Sequence, residues 1–265
     1  MRLLAAHGLR PDTDLGQHFL LDENLVDLAV REAAVGPDDV VLEVGAGLGV
    51  LTAALARAAR TVHAIEMDRR LEAALRDAIA GAGDVRVHWG DAMKLDLGAL
   101  DPPPTALVAN LPYAIATPLV AESLWALPTV ERWCVMAQRE VVDRWLAGPG
   151  SRLYGAPSVL IQLTARVTFR RAVGREVFAP RPRVDSALVA LRRVAPGPAP
   201  EVRAVVRAAF SARRKTLVNA LAGAGADRAR VVDALSRAGL PPGVRPEAVP
   251  PAAFAALSEE PLWPD

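Results

Sequence analysis

Four short stretches carry residue types at spacings that could do chemistry. Leu42-Glu-Val-Gly-Ala-Gly-Leu-Gly-Val50 places glycines at 45, 47 and 49. Lacking Cβ atoms, Gly45 and Gly47 let the backbone turn tightly and approach a ligand. Glu66 follows Gly45 by 21 residues, and Asp91 follows Glu66 by 25. A carboxylate at the first position can accept hydrogen bonds from both hydroxyls of a ribose. One at the second, in Trp89-Gly-Asp-Ala92, can accept from an adenine amino group. Asn110-Leu-Pro-Tyr113 offers an amide oxygen, the carbonyls of Leu111 and Pro112, and an aromatic face. Plain alternatives stand beside these readings. Glycines serve ordinary turns, a lone acid after a strand is usually a helix cap, and Asn before Pro can cap one element and stop another. A dinucleotide fingerprint needs glycine at 45, 47 and 50. Position 50 is Val, which disfavours a pyrophosphate. Repetition favours a ligand: these features fall at successive strand ends, where open α/β sheets bind ligands.

The elements that must hold these residues alternate. Asp39–Val44, Thr61–Ile65, Val85–Trp89, Ala106–Ala109 and Trp133–Ala137 read as buried strands. Val50–Ala59, Arg69–Ala80, Pro118–Ala126 and Arg139–Leu146 read as helices between or beside them. The alternation predicts an α/β fold, a parallel Rossmann-like sheet with helices on both faces. Val167–Arg171 and Ala187–Arg193 read as later strands at a sheet edge. Ala195-Pro-Gly-Pro-Ala-Pro200 interrupts any regular element and reads as a linker. Beyond it the pattern is helical: Glu201–Leu221, Asp227–Ala238 and Pro251–Leu257. The expected organisation is a ligand-binding domain over residues 1–194 and a small all-α domain over 195–265.

Composition bounds the rest. The chain has 265 residues, 52% of them hydrophobic and 23% charged, as in a folded globular protein. No apolar run approaches the length of a membrane span, and residues 1–14 lack a signal core. A cytoplasmic protein without a membrane partner is expected. The single cysteine, Cys134, sits in an apolar run and reads as buried and inert. With one cysteine and four scattered histidines, no metal site is expected. Net charge is +1, but it is unevenly spread. Residues 166–215 hold thirteen basic and three acidic side chains, a local charge of +10, while the remainder carries −9. An acidic body with a basic segment points to a polyanion, nucleic acid first. Arginine is abundant throughout, which explains Arg in place of Lys but not the scarcity of acids in this segment.

The glycine stretch resembles motif I of S-adenosylmethionine-dependent methyltransferases, and Asn110-Leu-Pro-Tyr113 resembles motif IV of those acting on exocyclic amines. Leu15-Gly-Gln-His-Phe-Leu20 and Phe178-Ala-Pro-Arg-Pro-Arg-Val-Asp-Ser-Ala187 complete a resemblance to the ribosomal RNA adenine dimethyltransferase family over nearly the whole chain. The resemblance implies S-adenosylmethionine as cofactor, held by His18, Leu20, Gly45, Gly47, Glu66, Met67, Asp91, Ala92 and Asn110. It implies that Asn110 and the carbonyl of Leu111 or Pro112 accept the two N–H bonds of the target amine. Tyr113 and Phe178 would form the two walls against which the extracted base stacks. Catalysis would be mostly positioning, because the sulfonium is already a good leaving group.

Phe210-Ser-Ala-Arg-Arg-Lys-Thr-Leu-Val-Asn-Ala-Leu221 and Arg245-Pro-Glu247 resemble the housekeeping branch. That branch dimethylates two adjacent adenines in the 3′-terminal hairpin of small-subunit (16S) rRNA. Arg181, Arg183, Arg213, Arg214 and Lys215 are expected to contact RNA phosphates; the last three, if helical, would fan by about 100° each. A small-subunit precursor is the expected partner, with the protein acting as a monomer. Two other readings stay open: a macrolide-resistance methyltransferase acting on large-subunit RNA, and a mainly non-catalytic assembly checkpoint.

Overall fold

The computed structural model describes Leu4 and residues 6–12, 16–212 and 214–263. Leu15 and Arg213, both singled out above, lie outside them. Two compact units divide the chain, residues 1–142 with 167–193, and residues 143–166 with 194–265.

The first unit is built on a seven-stranded sheet. Strand β1 (Phe19–Leu20) and helix α1 (Glu23–Glu32) lead into β2 (Val40–Val44), α2 (Val50–Ala58), β3 (Thr61–Glu66), α3 (Glu72–Ile79) and β4 (Val85–Trp89). Then come β5 (Ala106–Asn110), α4 (Ala116–Ala126), β6 (Arg132–Gln138) and α5 (Arg139–Leu146). After α6 (Ala156–Thr164) follow β7 (Ala165–Val173), β8 (Phe178–Ala179) and β9 (Ser186–Arg193). The sheet order is β4-β3-β2-β5-β6-β9-β7. Strands β2 to β6 run parallel, and β9 returns antiparallel to β6. Val40–Val44 is buried along its whole length, as expected of a strand with helices on both faces. Order reverses between β2 and β5, so a crevice opens at their carboxyl ends. There the glycine stretch, Glu66, Asp91 and Asn110 converge. Strand β1 pairs with β8 in a separate two-stranded ladder, Phe19 with Ala179 and Leu20 with Phe178.

The second unit is helical: α6 with α7 (Pro200–Phe210), α8 (Leu217–Gly223), α9 (Arg228–Arg237) and α10 (Pro251–Ser258). The sequence reading began this unit at residue 195. The structure adds residues 143–166, because Tyr154 and Val159 are fully buried among Val205, Leu217 and Phe254, and the Tyr154 hydroxyl donates to the Val249 carbonyl at 2.8 Å. A second difference concerns Glu201–Leu221, read above as one helix. It breaks between Phe210 and Leu217, where Ser211 bonds its hydroxyl back to the Ala208 carbonyl and Thr216 caps α8 through Asn219 N. Arg214 and Lys215 therefore sit exposed in a turn, not on a helix face.

Candidate active site

Glycine geometry shapes the floor. Gly45 and Gly47 have φ of 80° and 58°, in the left-handed region. A Cβ on Gly45 would lie 3.1 Å from the Pro112 ring, and one on Gly47 3.2 Å from the Phe19 ring. The glycines thus let three segments close on one another: the β2–α2 turn, the turn after β5, and the strap Gly16–Phe19. Between them lies a cavity of about 510 Å³. It is lined by His18, Gly45, Gly47, Glu66, Met67, Asp91, Ala92, Asn110, Leu111, Pro112 and Tyr113, all expected from sequence. Gly16, Gln17, Phe19 and Ile115 also line it and had not been singled out individually as ligands. Their signal was the motif around His18, which named the segment but not the way it lies across the crevice.

Two expected residues lie elsewhere. Leu20 and Phe178 are 7% and 4% exposed and belong to the hydrophobic core, facing each other across the β1–β8 ladder. In this structure the Phe178 ring packs in the core and does not line the cavity with Tyr113. The pairing that brings the strap over the cavity turns this ring into the core. The aromatic neighbour of Tyr113 is His18, with ring centroids 5.7 Å apart and planes tilted by 32°.

Hydrogen bonds fix the polar groups. Glu66 is 8% exposed; its Oε1 accepts from Met67 N and Asp68 N, and Oε2 accepts from Gly47 N, each at 2.8 Å. A carboxylate has about four acceptor positions. Glu66 thus holds the glycine turn against the end of β3 and keeps a position for a ligand hydroxyl. Asp91 Oδ1 caps the next turn through Met93 N at 3.0 Å, and Lys94 lies 3.5 Å from Oδ2. The cap reading and the ligand reading of Asp91 are compatible, since each uses a different oxygen.

Asn110 donates from Nδ2 to the His18 carbonyl at 3.1 Å. A carbonyl can only accept, so this bond fixes the amide and leaves Oδ1 as the free acceptor. The same logic applies to His18, whose Nδ1 lies 2.8 Å from the Pro180 carbonyl and therefore donates to it. The Tyr113 hydroxyl meets Ser186 Oγ at 2.8 Å, and burial raises the phenol pKa, so the ring stays neutral. The site therefore presents an amide acceptor beside a neutral aromatic face, with two carboxylates at neighbouring strand ends. Such a set suits a nucleoside-containing cofactor and an aromatic amine.

Of the expected RNA contacts, Arg181 and Arg183 are exposed on the loop whose Pro180 carbonyl holds His18. Arg214 and Lys215 are exposed in the turn of the helical unit. Glu43, one residue before Val44 and 1% exposed, went unremarked in the sequence; its Oε2 has no hydrogen-bond partner, and burial pushes its pKa up to about 8.

Comparison with known proteins adds three findings. The sequence pattern of the family described as "Ribosomal RNA adenine dimethylase" matches residues 8–257. "Ribosomal RNA small subunit methyltransferase A" of Thermobifida fusca is 47% identical over 97% of this chain and 93% of its own length. The protein of the same name from Rubrobacter xylanophilus is 47% identical over 96% of each chain. Among solved structures, a dimethyladenosine transferase from Plasmodium falciparum is similar with a TM-score of 0.76 and 25% identity, covering 91% of this chain and 96% of its own. The 23S rRNA methyltransferase ErmE is similar with a TM-score of 0.68 and 31% identity, covering 91% and 98%.

Proposed function

The chain belongs to the ribosomal RNA adenine dimethylase family and is an S-adenosylmethionine-dependent rRNA adenine dimethyltransferase; from that premise we propose that its substrate is the small ribosomal subunit precursor. The two targets are adjacent adenines in the 3′-terminal hairpin of its 16S rRNA, and the protein acts as a monomer. The single observation that carries the mechanism is the locked Asn110 amide, whose Oδ1 is left free beside Tyr113.

The residues present fit the cofactor. The glycine turn lets Pro112 and Phe19 close in around the cavity where Cβ atoms would crowd them, and Glu66 and Asp91 stand at successive strand ends for ribose and adenine. When bound, S-adenosylmethionine supplies an electrophilic methyl group. The protein's part is orientation. Asn110 Oδ1 and the Leu111 or Pro112 carbonyl accept the two N–H bonds of the adenine amine. An aromatic amine is a weak nucleophile because its lone pair is delocalised into the ring; held this way, the nitrogen pyramidalises and directs that pair outward. Tyr113 gives the base a stacking surface, and the Ser186 hydroxyl sets the tilt of its ring. The methylated amine sheds its proton to water, so no general base is required. Holding the reacting atoms about 3–3.5 Å apart is then the main source of rate. Arg181, Arg183, Arg213, Arg214 and Lys215 supply phosphate contacts that position the RNA without reading bases.

The likeness to ErmE supports a second reading, large-subunit RNA. Labelled S-adenosylmethionine incubated with immature small or large subunits separates the two. Label in small-subunit RNA as N6,N6-dimethyladenosine supports the proposal, and label confined to large-subunit RNA overturns it.

A further inference from the structure

The strap Gly16–Phe19 is one wall of the cofactor cavity, and it is fastened at both ends. At one end Phe19 and Leu20 pair with β8. At the other end stands a polar cluster that the mechanism above does not use. Asp68 is 8% exposed, and its Oδ2 accepts from Gln17 Nε2 at 2.7 Å. Arg70 grips the same carboxylate with two prongs, Nε to Oδ1 and Nη2 to Oδ2, both at 2.8 Å. Nη2 of Arg70 also reaches Asp12 Oδ2 at 3.0 Å. Gln17 closes the circuit: its backbone N donates to the Asp12 carbonyl at 3.1 Å, and its Oε1 accepts from Asp12 N at 2.8 Å. Two-pronged, charge-assisted bonds of this kind are the strong ones.

A structural role alone does not account for the cluster. Asp68 caps the short turn Arg69–Leu71 through Arg70 N, which needs one oxygen and no partner on the strap. Of the remaining bonds, the two prongs of Arg70 hold the carboxylate, and those from Gln17 to Asp68 and from Arg70 to Asp12 tie this turn to Asp12 and Gln17. Asp68 also donates its backbone N–H to Glu66 Oε1, so the holder of the strap is bonded to the carboxylate assigned to the ribose. Neither Asp68 nor Arg70 lines the cavity. Their influence on a ligand must pass through their neighbours, the strap by way of Gln17 and the carboxylate of Glu66.

Dimethylation gives this arrangement a task, and the inference rests on that reading. Each adenine takes two methyl groups, so spent cofactor must leave and fresh cofactor enter between transfers. We propose that Asp68, clamped by Arg70 and bonded to Gln17, is a latch that holds the Gly16–Phe19 strap against the cofactor and sets the rate of cofactor exchange. Asp68 and Arg70 are positioning residues, and the side chain they position is Gln17.

The test compares Arg70→Ala, Asp68→Asn, Gln17→Glu and the double variant Gln17→Glu/Asp68→Asn. Gln17→Glu sets two carboxylates against each other; the double variant restores a hydrogen bond of reversed polarity. The readouts are the dissociation rate of S-adenosylmethionine by rapid-mixing displacement, KM for cofactor, KM for the subunit, and melting temperature. Arg70→Ala should raise the dissociation rate and cofactor KM by about three- to tenfold, the scale of one hydrogen bond, with subunit KM and melting temperature little changed. Gln17→Glu should do more, and the double variant should recover toward wild type. A folded Arg70→Ala protein with wild-type dissociation, or a double variant no better than Gln17→Glu, overturns the latch. Cofactor binding is measured without RNA, so a wrong subunit assignment would show in the methylation assay and leave these outcomes readable.

Discussion

Glu66 shows how one side chain serves fold and ligand together. Its carboxylate accepts three backbone N–H groups and still faces the cavity. Glu66→Gln keeps the shape but loses the charge and turns one acceptor oxygen into a donor that faces a backbone N–H; S-adenosylmethionine should then bind at least about tenfold more weakly, the scale of one charge-assisted bond, with melting lowered less than by removal of the whole carboxylate. Glu66→Ala removes the acceptor altogether and should lower the melting temperature as well. Calorimetry with thermal melting checks both; unchanged affinity in folded Glu66→Gln would remove Glu66 from the site. Glu43 makes a separate prediction. Burial, then the nearby Glu66 charge, raise its pKa to about 8, while Thr52 opposes the shift. A group whose folded pKa is raised stabilises fully below its unfolded value and loses that contribution as pH climbs through the folded one. Stability should therefore fall between about pH 5 and about pH 8 as this contribution is lost, and Glu43→Gln should flatten the decline. Melting curves across that range decide; an equal slope in the variant would show that other groups set it.

At the scale of elements, the turn between β2 and α2 carries the next prediction. Gly47 is at φ 58°, with the Phe19 ring 3.2 Å from where a Cβ would sit. Gly47→Ala should cost about 1–3 kcal/mol of stability through backbone strain and loss of close approach. It should also push the strap outward and weaken cofactor binding about tenfold or more, a cost of about 1.4 kcal/mol. Calorimetry showing wild-type affinity in this variant would mean that the strap does not depend on the turn. Much of this architecture was legible beforehand, for physical reasons. Buried parallel strands read as continuous apolar runs, and a glycine turn followed by acids at strand ends marks a nucleoside crevice. The strap was not legible as a wall, because two-residue strands pairing across some 160 positions, as Phe19 does with Ala179, leave no periodic signal. The same pairing buries Phe178, so a residue expected to face the base packs in the core. The helix Ala156–Thr164 escaped notice because its apolar run shows little amphipathic contrast, and residues 211–216 were read through because single Ser and Thr residues give a weak stop signal.

For the whole molecule, charge asymmetry predicts how RNA is held. The +10 segment ends in Arg213, Arg214 and Lys215. Replacing all three by Ala should weaken subunit binding and flatten its salt dependence, by up to about 0.7–0.9 in the slope of log K against log salt per phosphate contact removed. Cofactor affinity should be unchanged, because the described residues that line the cavity all fall within 16–115. An unaltered slope in a folded variant would make these side chains a solvated surface. In the proposed mechanism a single cavity holds the methyl donor and aligns the target amine through Asn110. Single-turnover methyl transfer by Asn110→Ala on immature small subunits, at saturating S-adenosylmethionine, tests it most directly. The rate should be at least about a hundredfold lower, since lost alignment alone costs that much, with calorimetric cofactor affinity reduced far less. A near-normal rate in this variant would contradict it.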